Sequence, residues 1–371
     1  MSRPALPVLF FLLALVLAWP RLQPLPEARF SDASFATTKP TSGKGGDSEL
    51  LPRFGASAHA VTLAQGSDGN LVAAWFSGSR EGAEDVAIVF SALVDGTWTA
   101  PRVIADRHRV ERDSHRVVRK LGNPLLWRDP QNVLHLWFVS VSYGGWAGSS
   151  INHMESIDNG VRWSASERII TSPFGNLSTL VRNPPIALRD GGVALPAYHE
   201  FINKRPEWLH FDANMMLVDK SRIPGSAGTL QPAAVAISSN EGLMLLRDAG
   251  PLHRLHVAHS ADAGSSWLPA AANKIDNPNS AIAMIRLGDG SLLLAGNPQP
   301  ANRNQLALLR STDSGKNWSP PHVVEQGGDN DEFSYPALLQ DDAGRVHLAY
   351  TWKRQTIKHM VLSSAVIGDL H

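Results

Sequence analysis

Tyr335 lies in the run FSYPALLQ, with Glu332, Ser334 and Pro336 beside it, and is one of only four tyrosines in 371 residues. It reads either as a packed strand tyrosine or as a site residue, and Glu332 either supplies it with a carboxylate or is a solvated loop charge. Arg247 ends the apolar run GLMLLRDAG and Arg303 follows an Asn-Pro loop in AGNPQPANRNQLALL. Guanidinium groups at such places either hold a planar anion or make surface ion pairs. The loop SREGAED gathers Arg80, Glu81, Glu84 and Asp85, which is plain solvated charge or a source of an acid. His59 stands alone in FGASAHAVTL, as a hydrogen-bonded core residue or as a base close to its neutral range. Asn123, with His115 ahead of it, and Arg182 with Asn183 fall in N-P-L and R-N-P-P segments. Tyr198, His199 and Glu200 end the run PAYHEF, and Asn277 and Asn279 lie in DNPNSA. These are strand-entry residues or hydrogen-bonding partners for a polar ligand. Lys353, Arg354 and Lys358 read as a solvated basic edge.

The absences narrow the chemistry. No cysteine is present, which excludes disulfides, thiolate metal sites and cysteine nucleophiles. The 14 histidines show no metal-ligand spacing, and no G-x-S-x-G elbow or phosphate loop occurs. The sequence calls for no metal and no cofactor. Lys+Arg and Asp+Glu balance at 34 each, so a nucleic-acid footprint is absent. An anionic ligand would be held by a few placed arginines and not by the overall field.

Those residues need a frame, and the frame is repetitive. S-x-D-x-G-x-x-W occurs as SIDNGVRW from Ser156, SADAGSSW from Ser260 and STDSGKNW from Ser311. Asp accepts local N–H bonds, Gly supplies positive φ and Trp packs between repeats, so the phrase predicts a hairpin turn with a structural role. DGTW at Asp95–Trp98 reads as a degenerate copy. A second phrase, polar turn then short apolar strand, begins at Ser67, Arg128, Arg189, Ser239, Gly288 and Asp341. Helical periodicity is scarce after Leu50, and a repeat of roughly 50 residues with several short strands per unit reads as a β-propeller. The prediction is all-β: a six-bladed propeller of four-stranded antiparallel blades over 50–371. Val8–Trp19 is apolar throughout and follows Arg3. It reads as the core of a secretory signal or as a membrane anchor within residues 1–22, and predicts an exported chain. Residues 23–49 read as a linker.

The three S-x-D-x-G-x-x-W phrases are Asp-boxes, and Leu50–Leu362 resembles the sialidase (neuraminidase) superfamily, the BNR-repeat propellers. The resemblance implies a terminal acidic sugar as substrate, a tyrosine nucleophile assisted by a glutamate, an aspartate acid/base and three arginines on the sugar carboxylate. A neutral phenol suits this substrate because a carboxylate nucleophile would be repelled by it. On this resemblance Tyr335 is the nucleophile, Asp85 the acid/base, and Arg247 and Arg303 the second and third arginines. Arg80, Asn123, Asn183, Tyr198, Glu200 and Asn279 become sugar contacts. Three places depart from the pattern. His59 or Ser57 stands nearest the first arginine, Gln231 occupies the segment of the activating glutamate, and YTWKRQTIKH lacks a further glutamate.

The expected function is therefore hydrolysis of a terminal acidic sugar from glycans. A glycan-binding propeller without turnover, and a uronic-acid lyase using His59 and Tyr335 as base and acid, are the alternatives. Three observations separate them. A carboxylate in reach of Tyr335 favours hydrolysis, an apolar surround favours binding alone, and a His59–Tyr335 pair across the pocket favours elimination.

Overall fold

The computed structural model describes residues 8–10, 12, 27–41, 48–171, 178–368 and 370. Six antiparallel sheets form the blades of a propeller. Their innermost strands begin the blades in chain order: Ser57–Gln65, Lys120–Arg128, the split pair Leu180–Val181 and Ile186–Ala187, Thr229–Ala236, Ala283–Arg286 and Phe333–Gln340. The ring is closed by strand exchange, because Ser48–Leu50 pairs antiparallel with Thr356–Leu362 as the outer strand of the sixth blade. The first and last parts of the fold therefore share one sheet.

Alternation along each strand sends side chains to both faces, and here both faces are buried against neighbouring blades. Six apolar clusters fill the six interfaces. Phe76, Phe90 and Phe138 lie between blades one and two, Trp137 and Tyr198 between two and three, and Trp208 and Trp267 between three and four. Each large side chain so buried contributes roughly 1.5–3 kcal/mol.

The Asp-boxes are the hairpin turns the sequence predicts, and their bonds repeat in all three copies. In the box at Ser260, the serine Oγ donates to Asp262 Oδ1 at 2.8 Å and accepts from Gly264 N–H at 2.8 Å, while Asp262 Oδ1 accepts from Ser266 N–H at 2.8 Å. The boxes at Ser156 and Ser311 make the same three bonds. Gly264 has φ +86°, and a Cβ there would lie 2.5 Å from Trp208 of the preceding blade. The glycine is thus needed for conformation and for close approach. Trp267 completes the contact, edge-on to Trp208 at 5.1 Å.

Residues 27–41, inside the stretch expected to link, lie at the far ends of the inner strands, on the side of the boxed turn at Ser260, and are tied down. Phe30 is fully buried and its N–H donates to Ser239 O. Thr38 O accepts from Gln340 Nε2. No helix among the described residues is long and apolar enough to cross a membrane. Most of the Val8–Trp19 run lies outside the described residues.

Candidate functional site at the mouth of the central channel

The inner strands share a device that builds the site. Four of them carry a bulge near their first residues, between His59 and Thr62, Gly122 and Leu125, Leu230 and Ala233, and Ser334 and Ala337. A bulge adds one unpaired residue and re-aims a side chain. The residues set in these bulges have positive φ: Ala60 +56°, Asn123 +45°, Gln231 +47° and Tyr335 +52°. Asn279, just ahead of the fifth inner strand, has φ +57°. Left-handed backbone costs a non-glycine residue roughly 1–2 kcal/mol, and it recurs here at one level of the propeller, where the sequence places its candidate residues.

The bulges are held from below. Arg182 is buried, and its guanidinium donates to Val61 O, Tyr335 O and Pro336 O at 2.8–3.1 Å. Asn183 donates to Gln231 O and Pro232 O. These side chains fasten the bulged strands of blades one, four and six inside the channel, and Asn183 spends its amide protons there instead of offering them to a ligand.

Above this layer a hydrogen-bonded chain runs around the mouth. Asn123 Nδ2 donates to Tyr198 OH at 2.9 Å, and Gln231 Nε2 donates to the same hydroxyl at 3.3 Å. Gln231 Oε1 accepts from Arg247 Nη1 at 2.7 Å, and that nitrogen also donates to Tyr335 OH at 3.2 Å. Arg247 Nε donates to Asn279 Oδ1 at 2.7 Å, and Asn279 O accepts from Arg303 Nη2 at 2.7 Å. Arg303 Nη1 donates to Glu332 Oε1 at 3.2 Å. Arg354 Nε donates to Glu332 Oε2 at 2.6 Å, and Arg354 Nη1 to Glu81 Oε2 at 3.0 Å. The chain therefore gathers Asn123, Tyr198, Gln231, Arg247, Asn279, Arg303, Glu332 and Tyr335 from blades two to six, and it adds Arg354 and Glu81.

Electrostatics set the character of each group. Burial opposes ionisation of Tyr335, but the charges of Arg247 and Arg303, with hydrogen bonds from Arg247 and Gln231, outweigh it and bring the phenol below its ordinary range. Arg303 also lies under the ring face at 5.8 Å, and Arg182 at 5.4 Å. Glu332 is partly desolvated, which alone would raise it; bonds from Arg354 and Ser334 bring it down to about 2. Tyr198, deep in the channel, is pushed up by burial and stays a neutral phenol. Glu200 is raised by burial, against the charges of Lys204, Arg247 and Lys120. Lys120 lies 4.0 Å over the Trp146 ring, and burial lowers it.

His59 and the acidic loop sit differently from the expected pattern. His59 is 1% exposed, its two ring nitrogens are sealed and without a hydrogen-bond partner among the described residues, and its ring packs on Tyr335 at 4.2 Å. Burial, and next the Arg354 charge, hold it well below its ordinary range. A neutral, sealed ring supports the strand that carries Tyr335 and is poorly placed to take a proton from a ligand. Asp85 is exposed, and its carboxylate accepts from Ser79 N–H at 2.8 Å and Ser79 Oγ at 2.9 Å. Those bonds lower its proton affinity. Arg80 is exposed beside it. Sequence reasoning missed Arg354, taken as a solvated edge, and Glu81; the signal that would have found them is the tight turn WKRQT between two strands that end at the mouth.

Two other features do not belong to this site. His135 Nδ1 and His153 Nε2 are 3.0 Å apart with Glu155 nearby, a set able to hold a metal by distance. The ring planes differ by 9° and the centroids lie 5.2 Å apart, so the two nitrogens point at each other along one line. That is the geometry of a shared proton, with Asp129 accepting at the far end of His135 at 3.3 Å. His347, His359 and Asp341 repeat it in blade six. A cavity of about 430 Å³ lies at the other end of the channel, beneath residues 33–36. Its Arg128 is already paired with Asp342 at 2.9 Å.

Residues 69–348 match the BNR repeat-like domain family, and the chain belongs to that family, as a divergent member with the sialidase-like six-bladed fold. Comparison with curated proteins gives no match. Among solved structures, the Hadza microbial sialidase Hz136 superposes with a TM-score of 0.69 at 15% identity, over 83% of this chain and 66% of that one. A Dyadobacter fermentans protein of unknown function does so with a TM-score of 0.70 at 15% identity, over 86% and 98%. The intramolecular trans-sialidase of Ruminococcus gnavus gives 0.66 at 12% identity, over 86% and 96%. This chain thus spans two thirds of one of these proteins and nearly all of the other two, and the likeness is one of fold.

Proposed function

We propose that the protein is an exported sialidase-like glycosidase that removes a terminal acidic sugar, sialic acid or a close relative, from glycans. The observation that carries this reading is Tyr335: a phenol at the mouth of the channel, bonded to Arg247 and made more acidic by two arginines although it is partly buried. A phenolate so held is a nucleophile whose repulsion by a sugar carboxylate is offset by the positive charge of Arg247 and Arg303, which would bind that carboxylate. Tyr335 Oη attacks the anomeric carbon as the bond to the leaving oxygen breaks and a carboxylic acid gives that oxygen its proton. The same carboxylate then takes a proton from water, which displaces Tyr335 and returns the phenolate. Among the described residues no glutamate bonds to the Tyr335 hydroxyl. Gln231 stands in its place, so the phenol is activated by the arginines' positive charge and not by a base. Asp85 is assigned the acid/base role. Glu200 is the second candidate, favoured by its raised proton affinity.

Hydrolysis of a fluorogenic sialic-acid glycoside by the wild type and by Tyr335→Phe tests the proposal. Activity in the wild type, lost by three orders of magnitude or more in the mutant, is the expected result. Binding of acidic sugars without turnover would replace it with the glycan-binding reading, which the glutamine at 231 favours. Asp85→Asn and Glu200→Gln decide between the two acids.

A further inference from the structure

We propose that Arg354 is a substrate-positioning cation of this mouth, delivered from the sixth blade's hairpin turn to the corner where blade one offers only the neutral His59. The inference rests on the acidic-sugar reading above. The turn joining Val346–Trp352 to Thr356–Leu362 sets two successive non-glycine residues in the left-handed region, Lys353 at φ +53° and Arg354 at φ +56°. Asn-Gly or Gly-Gly fits such a turn with less strain, and strain of this kind points to a role for the side chain that keeps it. The backbone does not require arginine. Lys353 N–H donates to Glu332 O at 2.7 Å, and Arg354 O accepts from Ala58 N–H at 3.0 Å; glycine at 354 would leave both bonds in place.

The side chain is aimed and held. Glu332 grips Arg354 with one carboxylate oxygen and Arg303 with the other, so one carboxylate holds both guanidinium groups, that of Arg303 lying 5.8 Å from the Tyr335 ring. Glu81 takes Nη1, which ties the turn to the loop that carries Arg80 and Asp85. Neither bond uses Nη2, and the side chain remains 40% exposed. Arg354 is also the charged group that acts most strongly on the buried His59, which puts it at the blade-one corner of the mouth. Arg247, bonded to the Tyr335 hydroxyl, Arg303, 5.8 Å from the Tyr335 ring, and Arg354, sharing Glu332 with Arg303, thus reach the mouth from blades four, five and six, and a carboxylate bound at the blade-one corner would meet Nη2 of Arg354 in a charge-assisted bond.

The test compares N-acetylneuraminic acid with its C1 methyl ester, by calorimetric titration of wild type, Arg354→Gly and Arg354→Lys, with thermal melts beside. Expected is a wild type that prefers the acid, and an Arg354→Gly variant that binds the acid at least tenfold more weakly while the ester is unchanged within twofold. Arg354→Lys should fall between the two. If Arg354→Gly binds the acid as the wild type does, or loses acid and ester equally, Arg354 is only an ion-pair partner of Glu332 and Glu81 and the inference falls alone. If the wild type binds neither sialic acid nor glucuronic acid, the acidic-sugar reading falls and takes the inference with it.

Discussion

Replacing Glu332 by glutamine removes a carboxylate that holds two arginines, Arg303 and Arg354, at the mouth. Its side chain is only 20% exposed, and its proton affinity lies at about 2 against an ordinary value of 4.5. A shift of that size corresponds to about 3 kcal/mol of preference for the charged folded form, in keeping with the roughly 3–5 kcal/mol lost when one partner leaves a buried ion pair. The sign follows from the downward shift. The contribution is complete above the unfolded value and is lost as pH falls through 4.5 towards 2, where the folded protein also takes up the proton. Urea denaturation of wild type and Glu332→Gln should therefore differ by about 3 kcal/mol at pH 7, by about half of that at pH 3, and converge below pH 2. Other depressed carboxylates, Asp158, Asp313 and Asp341, titrate in the same window but cancel in the difference. A gap under about 1 kcal/mol at pH 7, or one that does not narrow with acid, would refute the claim that Glu332 is the anchor of Arg303 and Arg354.

Gly264→Ala puts a Cβ 2.5 Å from Trp208 at φ +86° and should cost about 3 kcal/mol in urea denaturation. Gly96→Ala, at φ +78° with nothing within 4 Å, should cost about 1 kcal/mol; equal losses would remove the packing role given to the Asp-box glycine. Gln231→Glu sets a like charge beside the Tyr335 phenolate and should raise its titration by about one unit or more. The measurement is ultraviolet absorbance of the phenolate, taken as a difference from Tyr335→Phe, and an unchanged or lowered titration would contradict activation by the arginines.

The propeller was legible because its signals are local. Ser260, Asp262 and Gly264 bond to one another within five residues, so spacing alone predicts their turn, and the same bonds at Ser156 and Ser311 give the period. The ring of mouth residues was legible only as a set of types. Asn123-Pro124, Gln231-Pro232 and Tyr335-Pro336 reveal a common phrase, yet the bulge and positive φ beneath it arise from strand pairing between residues 10–20 apart. The separation of Asn183 from Asn123 was not legible. Both precede proline, but one amide meets backbone carbonyls in the channel and the other a tyrosine hydroxyl. Residues 27–41 hid for a similar reason: one phenylalanine, Phe30, docks a stretch whose composition is otherwise that of a linker.

Arg354 shows where sequence reasoning stops. A basic residue in a turn is a solvated charge unless something distant holds it, and what holds it here is Glu332 together with Glu81, the latter 273 residues away. Ring closure causes this, because the sixth blade meets the first, so the latest hairpin and the earliest loop become neighbours. It bears directly on chemistry. The corner that lacks an arginine on its own strand, at His59, is the corner next to that hairpin. A cation that blade one does not supply can thereby come from blade six with no change in the fold, provided that a carboxylate orients it. Glu332 does so with its second oxygen, while its first orients Arg303. Neither the departure at His59 nor the glutamine at 231 then argues against an anion-binding mouth, because Arg247 and Arg303 act on Tyr335 and Glu332 holds Arg354 together with Arg303, whichever strands these cations come from.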